Sequence, residues 1–167
     1  MYLQRHLNNT PVVAKSAKIF QSACLSGDVT IGENVNIWYN VSIRGDMAKI
    51  TINENTNIQD NVVIHTNIDA PTFVGKNVTV GHAAILHACT VHDDALIGMG
   101  SIILDKAIIE KGALVAAGTV VPPGKTVPAY HLALGNPMKI IRKLTEQEIE
   151  ANKKNKNYYL NLMKEYD

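Results

Sequence analysis

The chain has 167 residues, 46% hydrophobic but only 5% aromatic, and its 16 Lys and Arg against 15 Asp and Glu leave a formal charge of +1. That length suits one well-buried domain with a terminal appendage. The scattered, nearly balanced charge offers no basic stripe for a phosphate backbone and no acidic tail, so nucleic acid and membrane surfaces are not expected partners.

The opening MYLQRHLNNT lacks the apolar core of a signal peptide. No apolar run approaches the roughly 20 residues that a membrane helix needs, so the expected compartment is the cytoplasm. Cys24 and Cys89 are the only cysteines and form no CxxC spacing, which argues against a disulfide framework or a thiolate zinc site; both read as small core residues. With few aromatics, the core has to be built from Ile, Val, Leu and Ala, which suits a narrow interior.

From Val13 onward an apolar residue returns at every sixth position: Val13, Ile19, Leu25, Ile31, Ile37 and Ile43. The phase resumes at Ile52, Ile58 and Ile64, again at Val74, Val80 and Leu86, and finally at Val91, Ile97, Ile103, Ile109, Val115 and Val121, eighteen units in all. Self-similarity of this kind outranks local propensity as a fold signal. Four places after most anchors stands a second small or β-branched residue, such as Ala23, Val29, Val35, Val62 or Ala84, so a second inward position is also filled. Glycine follows several anchors (Gly32, Gly75, Gly81, Gly98), and Asn34, Asn40, Asn55, Asn61 and Asn77 recur where turns fall. Both residue types tolerate left-handed backbone.

These hexads resemble the hexapeptide repeat of left-handed parallel β-helices, an all-β triangular prism with three hexads per coil. At about 4.8 Å per coil, eighteen hexads give about six coils and a prism roughly 30 Å long. The β-helix is expected over residues 1–124. Residues 125–144 read as a connecting loop, because Pro and Gly in VPPGKTVPAYHLALGNPMK mark a reversal along the prism. Thr145 and Glu148 form a capping box that opens a C-terminal helix over 145–167, with Ile149, Tyr159, Leu162 and Tyr166 facing the prism. Its ANKKNKN middle is polar, so that packing is expected to be modest.

Every third hexad returns to the same face one coil higher. His65 follows anchor Ile64 and His87 follows anchor Leu86, so the two occupy equivalent places on adjacent coils and stack within about 5 Å. Two imidazoles that close can converge on one metal at Zn–N distances of about 2.0 to 2.1 Å. Arg44, after anchor Ile43, lies in the same column. His82 sits one place further from its anchor, above Asp60 with Gln59 beside it, and so belongs to another face. A three-fold assembly would bring His65 and His87 of one chain to His82 of the next. Three histidine ligands with an open fourth position are catalytic rather than structural zinc geometry. Arg44 and Asp46 at such a seam read as an intersubunit ion pair that orients the site. A lone histidine is more often an ordinary surface residue, which is how His6, His92 and His131 read; the stacked column with Arg, Asp and Gln nearby tips the balance for the other three.

Trp38, the IRGD run ending at Asp46, NIQDN at 57–61, IH at 64–65, VGHAAILHAC at 80–89, LIGMGS at 96–101 and GNPMKIIRKL at 135–144 resemble the γ-class carbonic anhydrase family over nearly the whole chain. The resemblance implies that His65, His82 and His87 bind zinc, or iron or cobalt. It implies that Gln59 orients the attacking hydroxide or polarises substrate, with Asp60 and Asn57 in the polar surroundings, and that Arg44 and Asp46 tie subunits together. The implied protein is a homotrimer that hydrates carbon dioxide to bicarbonate, using a metal to lower the pKa of its water toward about 7. The chain departs from the long acidic loops of the archaeal form: RGDMAKITI and HTNIDAPTF are short and offer only Asp69 as a proton exit. Three rival readings stand beside this one. They are an acyltransferase on coenzyme A with one His as general base, a metal-dependent coenzyme A thioesterase that a wider pocket would reveal, and a catalytically silent trimeric scaffold.

Overall fold

Each hexad forms one short strand and one corner, and three hexads close one turn of a parallel β-solenoid. The computed structural model describes residues 2–166, so Met1 and Asp167, which close the first and last expected spans, lie outside the described residues. One face stacks Leu25, Ile43, Ile64, Leu86, Ile103 and Val121 in parallel register. The second stacks Val13, Ile31, Ile52, Val74, Val91, Ile109 and Val127. The third stacks Ile19, Ile37, Ile58, Val80, Ile97, Val115 and Ala133. Strand alternation turns each anchor inward and the residue before it outward. Every anchor from Leu25 onward is buried, as are the small residues four places on, such as Ala23, Val35 and Ala84.

The corners explain the two residue types that punctuate the repeat, for different reasons. Asn34, Asn40, Asn55, Asn61 and Asn77 all have φ between +56° and +61°, the left-handed conformation that a short polar side chain tolerates best. The glycines after the anchors do not adopt it. A Cβ on Gly81 would stand 2.8 Å from the backbone nitrogen of Met99, and one on Gly98 would stand 2.5 Å from that of Ala117. Here glycine is required by the close approach of the next turn rather than by φ.

The prism also runs further than Val121. Thr126–Val127 pairs in parallel with Ile108–Ile109, and His131–Leu134 pairs with Leu114–Val115, adding two hexads to the repeat, anchored on buried Val127 and Ala133. The loop expected over 125–144 is therefore largely strand, closed by Lys139–Lys143 turning back antiparallel on His131–Leu134. Pro122 and Pro128, which disguise the repeat, directly follow the uppermost strands of their faces. Among the described residues no strand lies above to accept the N–H that proline lacks.

The third face is covered by helix α1 (Glu146–Leu162), which opens with both bonds of the Thr145–Glu148 capping box. None of its residues is buried, in keeping with its polar middle; Ile149, Tyr159 and Leu162 are half-buried against the prism. It is anchored at its C-terminal end. Met163 is buried against Asn36, and Tyr159 and Tyr166 meet Trp38 edge-on at 5.8 and 5.5 Å, with Trp38 stacked on Phe20 at 4.3 Å. Among the described residues no helix is long and apolar enough to cross a membrane.

Candidate metal centre

Three hexads break the six-residue spacing: Ile43 to Ile52 spans nine positions, Ile64 to Val74 ten, and Leu86 to Val91 five. All three breaks fall at the same corner, between the first and second faces, on successive turns. That corner carries Arg44, Asp46, His65 and His87. The irregularity of the repeat is thus concentrated where the chemistry-bearing residues stand.

Arg44 pairs with His65, and His65 with His87, in direct register across the first face. Nδ1 of His65 lies 3.2 Å from Nε2 of His87. The outer nitrogen of each ring is committed to a carboxylate: His65 Nε2 meets Asp46 Oδ1 at 2.9 Å, and His87 Nδ1 meets Asp105 Oδ1 at 2.6 Å. A neutral imidazole that donates through its outer nitrogen presents a lone pair on the inner one. Two lone pairs facing at 3.2 Å call for a proton or a cation between them. Ligand nitrogens on a tetrahedral zinc at 2.0 to 2.1 Å stand roughly 3.3 Å apart, so the spacing fits a metal.

The carboxylates are held in their ionised form. Asp105 titrates below the ordinary carboxylate range because Asn67 and then His87 hydrogen-bond it. For Asp46, burial pushes upward, but hydrogen bonds to His65 and Arg44 outweigh it and the net direction is down. Arg44 and Asp46 form an ion pair within this chain. The two are two residues apart on one strand, so their side chains emerge on the same side. Between them Gly45 is obligatory, since a Cβ there would stand 2.5 Å from the carbonyl oxygen of Asp28.

His82 stands at the opposite corner of the first face, one turn above Asp60. Its Nδ1 meets Asp60 Oδ2 at 3.0 Å, which leaves Nε2 uncommitted. Gln59 is buried, accepts the His82 backbone N–H on Oε1 at 3.3 Å and donates Nε2–H to Asn57 Oδ1 at 3.1 Å. Asn57 is buried in turn and donates to Thr79 Oγ1 at 2.9 Å. Asn57 therefore fixes the amide of Gln59. Among the described residues no three His, Cys, Asp or Glu side chains close around one point: His65 and His87 come together and His82 does not join them.

Asp105 and Asn67 escaped the sequence reading. Asn67 lies in the ten-position insertion and donates to Asp105 Oδ2 at 2.8 Å across 38 residues. Following the His87 column one turn higher arrives at Leu104 and, beside it, Asp105. Of the cysteines, Cys89 is buried and its thiol is pushed up to about 12 by burial, whereas Cys24 is only half-buried. His92 is exposed, and His131 bonds the Ala129 carbonyl.

No protein-family model matches the chain. The carbonic anhydrase of Geobacillus kaustophilus is 46% identical over 151 residues, covering 90% of this chain and 83% of the relative. γ Carbonic anhydrase 2 of Arabidopsis thaliana mitochondria is 43% identical over 96% of this chain. The chain belongs to the γ-class carbonic anhydrase-like family. It spans 62% of the length of the Arabidopsis relative. Among solved structures, a hexapeptide transferase family protein from Anaplasma phagocytophilum superposes on this family member with a TM-score of 0.96, at 43% identity over 99% of this chain and 98% of the other.

Proposed function

We propose that the protein hydrates carbon dioxide to bicarbonate in the cytoplasm as a homotrimer, with zinc held by His65 and His87 of one chain and His82 of the next. The observation that carries this reading is that each of the three histidines has one ring nitrogen fixed by its own carboxylate, Asp46, Asp105 or Asp60, and the other left for a ligand. Carboxylates in that position set the tautomer and raise the basicity of a metal-bound imidazole.

The first face supports the trimer. Its outward column above Ser42 is Val63, Ile85, Ile102 and Val120, with Val63 as much as 41% exposed. A contiguous apolar strip of this kind marks a protein contact. It is bordered by His82 on one edge and by His65 and His87 on the other. Three such faces around a three-fold axis set each His82 edge against the next chain's His65–His87 edge, and a head-to-tail contact of this kind closes into a ring.

When bound, the metal supplies the Lewis acidity that makes its water acidic enough to yield a nucleophile near neutral pH. The protein's own contribution is orientation. Asp46, Asp60 and Asp105 hold the three rings. Gln59, its amide fixed by Asn57 and by the His82 backbone, keeps one N–H to donate to a substrate oxygen, where negative charge develops. Asp60 and Asn57 act through His82 and Gln59 and are positioning residues.

Subunit mixing tests the shared site. His82→Ala and the double variant His65→Ala/His87→Ala should each lose metal and stopped-flow carbon dioxide hydration, and should recover part of both when unfolded and refolded together. Absence of recovery in trimers shown to contain both chains refutes a site built from two subunits. Gln59→Ala should keep the metal and the trimer while losing turnover.

A further inference from the structure

Helix α1 turns an unusual stripe toward the corner between the second and third faces. Ile149, Asn152, Lys153 and Lys156 fall at i, i+3, i+4 and i+7, the positions that an amphipathic helix gives to apolar residues facing its core. Here only the first is apolar, and the four close a cavity of about 100 Å³ over the prism. A stripe built for packing alone would carry Leu or Ile in the other three places.

The prism side of the cavity is the column of corner residues three places after the second-face anchors. Asn34, Asn55, Asn77 and Asp94 form a ladder in which each amide donates Nδ2–H to the next side chain up, at 3.2, 3.4 and 3.1 Å. The ladder stops at Gly112, where a Cβ would stand 2.4 Å from the Tyr130 ring. The missing side chain leaves the opening, and Tyr130 walls it one turn higher.

The charges around the opening do not cancel. Asp94 accepts from Asn77 on Oδ1 and faces Lys111 Nζ with Oδ2 at 3.6 Å, and Glu150 faces Lys153 at 3.8 Å. Lys156 is left over. It is half-buried, and its hydrogen bond is to Asn77 Oδ1 at 3.4 Å, an oxygen that already accepts from Asn55. Among the described residues no carboxylate pairs with it. An ammonium group has three N–H to donate, and one withdrawn from water with a single neutral, shared acceptor is short of partners.

We propose that this cavity binds a small planar oxyanion of single charge, held by Lys156 and the amide of Asn152, independently of the metal site. A water takes about 30 Å³ of liquid, so the volume suits roughly three or four non-hydrogen atoms, the size of formate or bicarbonate. Two oxygens on one carbon let the ion meet Lys156 and Asn152 together, which a single-atom anion does not do. One unmatched positive charge calls for a monoanion, and the Asp94 carboxylate alongside disfavours a dianion. The bound ion ties the middle of α1 to the corner. Asn155 and Tyr159, on another flank of the same helix, line a cleft with Thr79, Gln59 and His82, so fixing the helix fixes that wall as well.

Hydrogen exchange followed by mass spectrometry on the whole chain localises the ion, and titration calorimetry measures its affinity. Sodium formate and sodium bicarbonate are compared with sodium chloride at equal ionic strength. Formate or bicarbonate should slow amide exchange from Ile149 through Tyr159 in the wild type, and chloride should not. Lys156→Gln should weaken binding about tenfold or more, the worth of a hydrogen bond to a charged group, and should lose the protection. Lys156→Arg restores the charge and should regain both; Lys156→Met, which keeps the aliphatic stem, takes the place of Lys156→Gln should that variant fail to fold. Protection by either oxyanion with this dependence on Lys156 upholds the proposal, and the tighter of the two identifies the source of the ion. No protection of α1 in the wild type, protection unchanged in Lys156→Gln, or equal protection by chloride overturns it. Because neither readout involves turnover, the outcome stands apart from that of the carbon dioxide assays.

Discussion

Replacing Asp105 tests whether the His87 ring is held for a ligand. The Asp105–His87 bond is 2.6 Å long, with both side chains about 30% exposed. Hydrogen bonds with a charged partner contribute roughly 1.5 to 3 kcal/mol, and the partial exposure places this one toward the lower end. Loss of such an outer partner typically weakens metal binding about 10- to 100-fold, or roughly 1.4 to 2.7 kcal/mol, so the two lines of reasoning agree. Asp105→Ala is therefore expected to lower zinc affinity by that factor, measured by competition with a chromophoric chelator. Asp105→Asn retains an acceptor without the charge and should lose less. Asn67→Ala leaves the His87 bond in place but frees the carboxylate, and should fall between wild type and Asp105→Ala. Circular dichroism melts of the metal-free proteins separate these effects from unfolding. Wild-type zinc affinity in a folded Asp105→Ala protein would refute the assignment of His87 as a ligand steadied by this carboxylate.

Two further expectations concern stability. Ile97 is fully buried on the third face, so Ile97→Ala should cost about 2 to 5 kcal/mol in denaturant unfolding, whereas Leu96→Ala, one residue earlier and facing outward, should cost far less. Glu148 has its carboxyl lowered to about 2 by Arg142 and by the Thr145 backbone N–H. A depressed carboxylate contributes stability that is fully present above its unfolded value and is lost as pH falls through the folded one. Helical circular dichroism should therefore decline as pH falls from about 4.5, the ordinary glutamate value, to about 2, and Glu148→Gln should flatten that decline.

Particular residues show how far the sequence could be read. The anchor at every sixth position is a local property repeated many times, and each repeat turns the same way, so the faces and the register of His65 with His87 could be counted off before any coordinates. The capping box at Thr145 was equally local. The reading ended too early at Val121 because Pro122 and Pro128 normally interrupt strands; nothing in the sequence reveals that they follow the last strands on their faces, where the missing N–H has no partner to lose.

What the sequence determined alone is the solenoid, the histidine column, and the placing of His82 on a different face. The tertiary structure decided what surrounds them: the three irregular hexads gathered at one corner, Asn67 reaching Asp105 across 38 residues, and a helix that covers the third face with only half-buried side chains. The physical reason is one of range. Inward and outward alternation follows from neighbouring backbone geometry, whereas the position of a corner insertion or of the covering helix depends on atoms from turns far apart in the chain.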